Sequence, residues 1–320
     1  MANEMNVLPY ADIYAEEWDL FVACAINTTL LHTRRFLSYH GSRFKDCSLM
    51  IRDNKGKLLA LFPAAFDPCG DSVVVSHPGA TYGGLVRGEK LCGESIVSVM
   101  EAICDHYAML GSKVIRYKAV PHIYHSQPAE DDLYALFRLN AKRYRCDLSA
   151  SIKLAQRGEV SERRHRGLRK AIKNGLTVAV AMDHLDDFWG VLAANLNQRH
   201  ETKPVHSFDE MRLLVSRFPE EIELVSVFID GSLIAGVLLF HASTVSHAQY
   251  IASSEKGFEL AALDMVFEHC IGRAIELGKT FFDFGINNEN AGLVLNDGLY
   301  RFKSGFGAGG VVHEFYEMSL

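Results

Sequence analysis

The sequence predicts an α+β fold in which two tandem domains repeat one unit, a mixed and mostly antiparallel sheet flanked by helices. Residues 48–66 and 222–241 each have the pattern strand, turn, strand. The turns are Asp53-Asn54-Lys55-Gly56 and Asp230-Gly231, and the second is a strong hairpin signal. Each hairpin precedes a further strand, a long helix and another strand, so the same order of elements occurs twice.

The two predicted long helices end in the same way. The first, 93–110, stops at Gly111, and the second, 260–277, stops at Gly278. Leu-Gly ends both helices, since glycine adopts the left-handed C-terminal conformation without strain. The helix-ending glycines are 167 residues apart and the hairpin glycines 175 apart. Strand–helix–strand order also arises by chance, but near-equal offsets and identical ends favour duplication.

The size and charge of the chain restrict its class. A length of 320 residues accommodates two domains, which we place at 1–150 and 151–320. Hydrophobic content of 48% and charged content of 22% are typical of a globular protein with a substantial core. The net charge of −6 argues against a general nucleic-acid binder, so DNA is not an expected partner.

Targeting features are missing from the sequence pattern. Seven cysteines are scattered without a CxxC pair, which is typical of reduced thiols and argues against a zinc ribbon. The polar, acidic N-terminus lacks the apolar region of a signal peptide, and no apolar run approaches the length of a membrane span. We therefore expect a cytoplasmic protein without a membrane span.

The segment 162–176 is a basic exception in an acidic chain. As a helix it would bury a stripe of Leu168, Ile172 and Leu176 and carry its cations on another face. Those cations form either a solvated face or a site for phosphate groups. The candidate phosphate-binding residues are Arg163, Arg166, Arg169, Lys170 and Lys173.

Several segments resemble a known family in content and order. These are SERRHRGLRKAIKNGLTV (161–178), KPVHSFDE (203–210), HAQYIASS (247–254), FFDFGINNENAGLVLNDGL (281–299) and FKSGFGAG (302–309), with YGGLV (82–86) and IYHSQPAEDDLYALF (123–137) in the first half. They resemble FemAB-like members of the GNAT superfamily, which are similar to the peptidoglycan-bridge aminoacyltransferases in having tandem GNAT-like domains. The resemblance covers most of the chain, and its closing Phe-Lys-x-x-Phe-Gly pattern is the most diagnostic part.

The resemblance implies an N-acyltransferase or aminoacyltransferase with its active groove in or beside the second domain. In that fold the donor lies in the gap between two parallel strands that splay apart. We expect the first domain to bind the acceptor or to be structural, because it also lacks a glycine-rich phosphate turn at 86–93. The donor would be acyl-CoA or aminoacyl-tRNA, used as a cosubstrate without a tightly bound cofactor. The acceptor would be a small or sugar-linked amine, or a peptidoglycan precursor in the tRNA-dependent case. Lys303 matches the lysine that helps hold the donor, in what we expect to be a glycine-rich turn.

One departure from the family pattern concerns the donor. Coenzyme A-binding domains place a glycine-rich turn before the long helix, where backbone N–H groups bind the pyrophosphate. Here the turn is 254–259, which has one glycine, the bulky Phe258 and two carboxylates. This argues against coenzyme A binding in the usual manner. The acidic net charge and the lack of a long helical arm argue against tRNA, and a non-catalytic binding module is the third interpretation.

Candidate site residues lie on the predicted strands of the second half. Alternation along 247–252 places His247 and Gln249 on one face, toward a groove or a hydrogen-bonded core, and Tyr250 on the other. Tyr250 would protonate a thiolate leaving group or pack in the core. Asp283 would be a general base or cap the turn at 287–288. The candidate catalytic residues are Lys303, Asp283, Tyr250 and His247.

Further residues are assigned to substrate binding. His206 lies just outside a helix that Ser207 and Glu210 begin with a capping box, and Arg301 would share a face with Lys303 if the strand there is extended. Tyr82, Tyr124 and His125 would line the acceptor side. The HxxH spacing at His122 is weak support for a metal, and we expect no metal site. No GxGxxG, P-loop or Ser-His-Asp order supports a dehydrogenase, kinase or hydrolase.

Overall fold

A computed structural model of the chain describes residues 5–68, 70–200 and 204–320, with side chains omitted for 198–200. The chain divides into two compact units. The first contains residues up to 147 together with 290–294 and 312–320, and the second contains 148–289 and 295–311. The sequence-based boundary at 150/151 assigned the two returning segments, 290–294 and 312–320, to the second domain, whereas they pack in the first unit.

The helices and strands follow the chain in this order. Up to residue 147 they are β1 (Met5–Pro9), α1 (Ala15–Cys24), α2 (Arg34–Leu37), β2 (Leu49–Asp53), β3 (Leu58–Phe62), β4 (Ala64–Asp67), β5 (Gly70–Ser76), β6 (Val86–Arg87), α3 (Glu94–Met109), β7 (Val114–Lys118), α4 (Asp131–Arg138) and the start of β8 (Lys142–Lys153). Then come α5 (Glu162–Lys173), β9 (Thr177–Val180), α6 (Leu185–His200), α7 (Phe208–Arg217), β10 (Ile222–Ile229), β11 (Ser232–His241), β12 (Val245–Ser253), α8 (Glu255–Glu259), α9 (Ala262–Glu276), β13 (Phe281–Ile286), β14 (Asn288–Glu289), β15 (Val294–Leu295), α10 (Asp297–Ser304) and β16 (Gly309–Ser319).

The first unit contains an antiparallel sheet in the order β1-β2-β3-β6. Its other strands follow the order β4-β5-β7-β16, in which β5 and β7 run parallel. The predicted hairpin at 48–66 is confirmed as β2 and β3. Helix α3 contributes Ile96, Met100, Ile103 and Tyr107 to the core, where each is fully buried. These apolar residues therefore form the packing face of the helix.

The second unit has the strand order β8-β13-β12-β11-β10-β9. The predicted hairpin at 222–241 is confirmed as β10 and β11, and β12 and β13 are a parallel pair within otherwise antiparallel neighbours. Helix α9 packs on this sheet through Phe267, whose ring lies 6.3 Å from Phe282 and 4.9 Å from Phe284. Each unit thus has the predicted mixed sheet flanked by helices.

Both long helices end in the same hydrogen-bonded motif. After α3, Ser112 N donates to Tyr107 O, and after α9, Lys279 N donates to Ala274 O. The glycine between has φ +86° at Gly111 and +68° at Gly278. This is the Schellman arrangement, in which a left-handed glycine lets the next amide satisfy a helix carbonyl. The Leu-Gly ends predicted from the sequence are confirmed.

The helix predicted at about 260–277 is α9, Ala262–Glu276, but the chain is already helical before it. A separate short helix, α8, precedes α9, and Ala261 between them has φ +59°. Ser254 begins α8 by accepting a hydrogen bond from Gly257 N at 3.1 Å. A serine cap therefore starts a helical turn earlier than the apolar pattern indicated. Among the described residues no helix is long and apolar enough to span a bilayer.

Candidate functional site

The parallel strands β12 and β13 pair over only three residues. The paired positions are Val245 with Phe281, Ser246 with Phe282, and His247 with Asp283. β12 continues to Ser253 and β13 to Ile286 without pairing to each other. A gap therefore opens between the strands directly after His247 and Asp283, as the family resemblance implied.

A β-bulge in β12 changes which residues share a face. Leu238 of β11 pairs with Tyr250, and the next residue, Leu239, pairs with Ala248, so Gln249 is the extra residue. His247 pairs with Phe240 and Tyr250 pairs with Leu238. Phe240 and Leu238 are two positions apart on β11 and so point to the same face of the sheet, which places their partners His247 and Tyr250 on that face as well. The predicted alternation, which put them on opposite faces, is wrong because the bulge adds one residue to the period of two.

Asp283 lies at the centre of a buried hydrogen-bond cluster. His247 Nδ1 lies 2.7 Å from its Oδ2, and the hydroxyls of Ser149 and Ser151 donate to its Oδ1 at 2.5 Å each. The exposed fraction of Asp283 is 0%. The turn at 287–288 bonds to the backbone of Leu148, while both carboxylate oxygens of Asp283 are engaged by the two serines and His247.

Ser149 and Ser151 were missed in the sequence. They occupy alternate positions of β8, a strand whose intervening Ala150 and Ile152 are buried in the apolar core. Two serines spaced by two in the buried stretch 149–152 place two hydroxyls on one buried face, which requires a polar partner there. That signal was present, but the partner, Asp283, lies more than 130 residues away in the chain.

Lys303 projects from a helix into the same region. It lies on α10, is 3% exposed, and its ammonium donates to Gly285 O and Ile286 O at 2.9 Å each. Gly285 has φ +80°, and the pairing of β13 with β8 shifts register between Asp283 and Ile286. Burial lowers the pKa of Lys303 to about 8, and the negative charge of Asp283 acts in the opposite direction.

The glycine-rich turn predicted around Lys303 is wrong, because Asn296 caps a helix there by accepting a bond from Leu299 N at 3.0 Å. Residues two apart on a helix point in different directions. Arg301 accordingly has a side chain that is 78% exposed and pairs with Asp297 at 2.9 Å. It does not share a face with Lys303.

Tyr250 and His206 form a second polar contact. The Tyr250 hydroxyl lies 2.6 Å from His206 Nδ1 and accepts the backbone N–H of His206 at 3.2 Å. Burial raises the pKa of Tyr250 to about 12. The capping box of Ser207 and Glu210 is confirmed, and His206 just before it is buried rather than solvent-exposed. The hydroxyl of Tyr250 is thus held by His206 in this structure.

The basic helix α5 faces its neighbours differently from the prediction. Arg164 is the buried side chain: it pairs with Asp264 of α9 at 2.9 Å and lies 4.6 Å from the ring centre of Phe302. Ile172, predicted in the buried stripe, is 60% exposed, and Ala171 is buried in its place. The predicted stripe is confirmed at Leu176, which is buried, and wrong at Ile172, because an arginine with its own carboxylate and aromatic partners occupies the packing face.

The remaining cations of α5 point to solvent. They are Arg163, Arg166, Arg169, Lys170 and Lys173, all exposed. The Arg169 guanidinium lies 3.6 Å from the Glu162 carboxylate, and both side chains are mostly exposed. The other four make no ion pair with any residue in the described part of the chain. Their charges therefore remain available to an anion.

The segment before α9 is not an open phosphate cradle. In α8 the Gly257 amide is already bonded to Ser254, and a Cβ on Gly257 would lie 2.4 Å from Ile234 O. Glu255 is exposed at the start of this helix. A cleft of about 790 Å³ adjoins it, lined by Gly190, Val191, Ala194, Asn195, Ser253, Ser254, Glu255, Lys256 and Phe258.

The residues assigned to the acceptor side lie in the first unit. The Tyr82 hydroxyl donates to Thr29 Oγ1 at 3.2 Å, and its ring lies 4.8 Å from that of Tyr124. His125 Nε2 lies 3.1 Å from Val120 O, and burial lowers the pKa of His125 to about 4. Tyr82 and Tyr124 are thus packed against each other within their own unit. No group of three or more metal-ligating side chains occurs among the residues that the structure describes.

Comparison with known proteins gives a family for the second unit and a fold for the whole. Residues 156–304 match the family model described as an acetyltransferase (GNAT) domain. The crystal structure of FemX has 14% identity and a TM-score of 0.72, covering 98% of this chain and 97% of that one. No curated protein matches the chain by sequence.

Two other solved structures are similar. The C-terminal domain of a putative lysylphosphatidylglycerol synthetase from Agrobacterium fabrum has 12% identity and a TM-score of 0.62, over 95% of this chain and 91% of that one. A tandem GNAT protein from the clavulanic acid biosynthesis pathway has 11% identity and a TM-score of 0.51, over 99% and 98% of the two chains. At these identities the likeness concerns the fold.

A mixed sheet whose parallel strands separate beside a bulge, together with the matched segment 156–304, defines a transferase enzyme with the GNAT fold. The second unit thus contains a segment that matches the GNAT acetyltransferase domain, and the chain as a whole has a fold similar to those of FemX and of the tandem GNAT protein.

Proposed function

We propose that this enzyme transfers an acyl group from an activated donor to the amine of a small or sugar-linked acceptor, in the gap that follows His247 and Asp283. The observation that carries this proposal is the end of β12–β13 pairing beside the bulge at Gln249. Strand edges that separate offer unpaired backbone groups to a ligand, and a bulge takes one residue out of the ladder. An extended donor can bind between the strands as an additional strand would.

Lys303 would act on the donor in this gap. An ammonium has three N–H donors, and two of them bond Gly285 O and Ile286 O. The third is left for the donor carbonyl, whose oxygen becomes negative as the amine attacks. A positive charge held in a buried position stabilises such an oxygen without reorganising water. The two carbonyls fix the direction of the ammonium.

We propose an acyl thioester such as acyl-CoA as the first donor candidate, because the family model of the second unit describes an acetyltransferase. Its phosphates would contact the exposed face of α5, through Arg163, Arg166, Arg169, Lys170 and Lys173. Charge-assisted bonds from arginine suit phosphate oxygens. We also place the reaction in the cytoplasm, which the scattered cysteines favour.

An aminoacyl-tRNA is the second candidate, with a peptidoglycan precursor as acceptor. One observation favours it. The segment 254–259 forms α8 with its own serine cap, so the Gly257 amide is already bonded, and the exposed Glu255 would repel a pyrophosphate. The name of the lysylphosphatidylglycerol synthetase also refers to an aminoacyl product. In this case α5 would contact the phosphate backbone of the tRNA.

A donor comparison tests the proposal. The purified protein is incubated with acyl-CoAs or with charged tRNA and a panel of amines, and the amide product is measured by mass spectrometry. We expect product with one donor class, and a Lys303→Ala loss of about 10²–10³ in kcat, typical of one lost oxyanion donor. Lys153→Ala, at an exposed lysine of the same unit, is the matched control. No product with any donor, despite donor binding, would identify a non-catalytic binding module and refute the proposal.

A further inference from the structure

The cluster around Asp283 contains one group suited to accept a proton. We propose that His247 is the general base of the transfer, and that Ser149 and Ser151 are positioning residues that hold Asp283 against its imidazole. This inference rests on the proposed acyl transfer to an amine. It assigns the deprotonating group and adds two residues that no sequence pattern had assigned.

The hydrogen bonds determine which nitrogen of His247 carries the hydrogen. Asp283 accepts both serine hydroxyls on Oδ1, so its Oδ2 faces His247 Nδ1 at 2.7 Å. An ionised carboxylate can only accept, and therefore Nδ1 donates. In the neutral ring the lone pair then lies on Nε2, which is the atom available to take a proton.

The position of His247 suits this role. It is the last residue of β12 that pairs with β13, so its ring lies where the gap opens, and its side chain is 17% exposed. A Cβ built on Gly285 would lie 3.4 Å from His247 Cε1, the ring atom between the two nitrogens. This distance is that of an ordinary van der Waals contact, so Gly285 lies directly beside the imidazole. A neutral amine approaching along the gap can reach Nε2.

The other titratable groups around His247 are less suited. Lys303 on α10 is an ammonium that donates to two carbonyls, and Asp283 on β13 is fully bonded. Tyr250 shares the face of His247, but its hydroxyl is bonded to His206 on the segment before α7. β8 contributes the uncharged Ser149 and Ser151, and β11 contributes Phe240 opposite His247. Among these described neighbours, the imidazole is the group with an unbonded lone pair.

The proposed step is balanced. The amine nitrogen attacks the donor carbonyl carbon, a C–N bond forms, and the bond from that carbon to the leaving sulfur or oxygen breaks. The proton that the nitrogen loses goes to His247 Nε2. The imidazolium then gives this proton to the leaving group, which departs as a thiol or an alcohol. Asp283 stabilises the imidazolium without receiving the proton.

The first test needs no substrate. Nitrogen-15 NMR of the imidazole in the wild-type protein distinguishes the two neutral tautomers, and we expect His247 to be protonated on Nδ1. Ser149→Ala with Ser151→Ala should mix the tautomers, whereas Ser151→Thr, which keeps a hydroxyl, should retain the wild-type spectrum. A wild-type His247 protonated on Nε2 would overturn the proposal. A serine double variant with an unchanged tautomer and unchanged activity would remove the positioning role.

The second test follows turnover against pH. His247→Gln should lower kcat by a factor of about 10²–10⁴ and abolish the acid limb of the kcat profile, with the donor KM little changed. His269→Gln, at an exposed histidine of α9, is the matched control. If His247→Gln keeps the turnover and the kcat–pH profile of the wild type, His247 is not the general base, while the proposed acyl transfer stands. Absence of turnover in the wild type would refute the proposed function, and the NMR result would stand independently.

Discussion

Replacing Arg164 by methionine removes one half of an ion pair that α5 and α9 enclose. The side chains of Arg164 and Asp264 are 7% and 9% exposed. Attraction between the two would raise the pKa of the arginine and lower that of the carboxyl, yet burial reverses both directions. The pKa of Arg164 is lowered, and that of Asp264 rises from 3.8 to about 6. Desolvation therefore outweighs attraction, and the pair adds little net stability.

The single variant nevertheless should be costly. It leaves the Asp264 carboxylate buried without its cation, which typically costs about 3–5 kcal/mol of unfolding free energy. Urea unfolding at pH 7.5 measures this value, and Arg163→Met, on the exposed side of α5, should stay within about 0.5 kcal/mol of wild type. Adding Asp264→Leu to Arg164→Met should recover most of the loss, because the unpaired charge is gone.

The pH dependence has a definite sign. A carboxyl whose folded pKa lies above its unfolded value opposes folding as the pH rises, and for Asp264 this happens between pH 3.8 and about 6. Without Arg164 the folded pKa rises further, so the cost of Arg164→Met should be largest above pH 6 and shrink at pH 5. A cost below about 1 kcal/mol at pH 7.5, or one that grows on acidification, would refute this reasoning.

Three further predictions concern the charged face, the first unit and the glycine beside the site. The double variant Arg166→Glu with Lys170→Glu should raise the donor KM at least tenfold and make this KM less dependent on salt. The control Lys153→Glu should change neither. An unchanged KM in the double variant would show that α5 does not bind the donor. The pKa of buried His32 is lowered to about 4, so its contribution to stability is present above pH 6.5 and is lost as the pH falls toward 4. The loss should be roughly 3 kcal/mol of unfolding free energy. Acid unfolding measures it, and in His32→Gln the unfolding free energy should depend less on pH over this interval. Gly285→Ala should lower kcat with retained folding, because alanine is strained at φ +80° and the carbonyl of this residue holds the Lys303 ammonium; wild-type kcat would contradict this.

The sequence was most informative where local chemistry decides the structure. Asp230-Gly231 specifies a tight hairpin, and Leu-Gly at 110–111 and 277–278 specifies a helix end, because each depends on backbone conformation over a few residues. The capping box at Ser207 is of the same kind. These features needed no knowledge of distant partners, and all are present in the structure.

The site itself depends on contacts that the sequence does not express locally. The bulge at Gln249 arises from pairing with β11, and it reverses the faces expected from simple alternation. In the sequence Arg164 is indistinguishable from the solvated cations around it. Its buried position depends on Asp264, which lies on a helix a hundred residues later. Lys303 could be recognised from its motif, but the glycines around it concealed that it lies on a helix.

The return of residues 312–320 to the first unit has a consequence for biosynthesis. β16 pairs with β7 through contacts such as Phe315 with Lys118, which are 197 residues apart in the chain. A ribosome therefore completes almost the entire second unit before the first can close its sheet. Until then the free edge of β7 presents unpaired backbone groups that invite association with other chains. The first unit, although its synthesis begins first, therefore completes its sheet only after nearly the whole chain has been made.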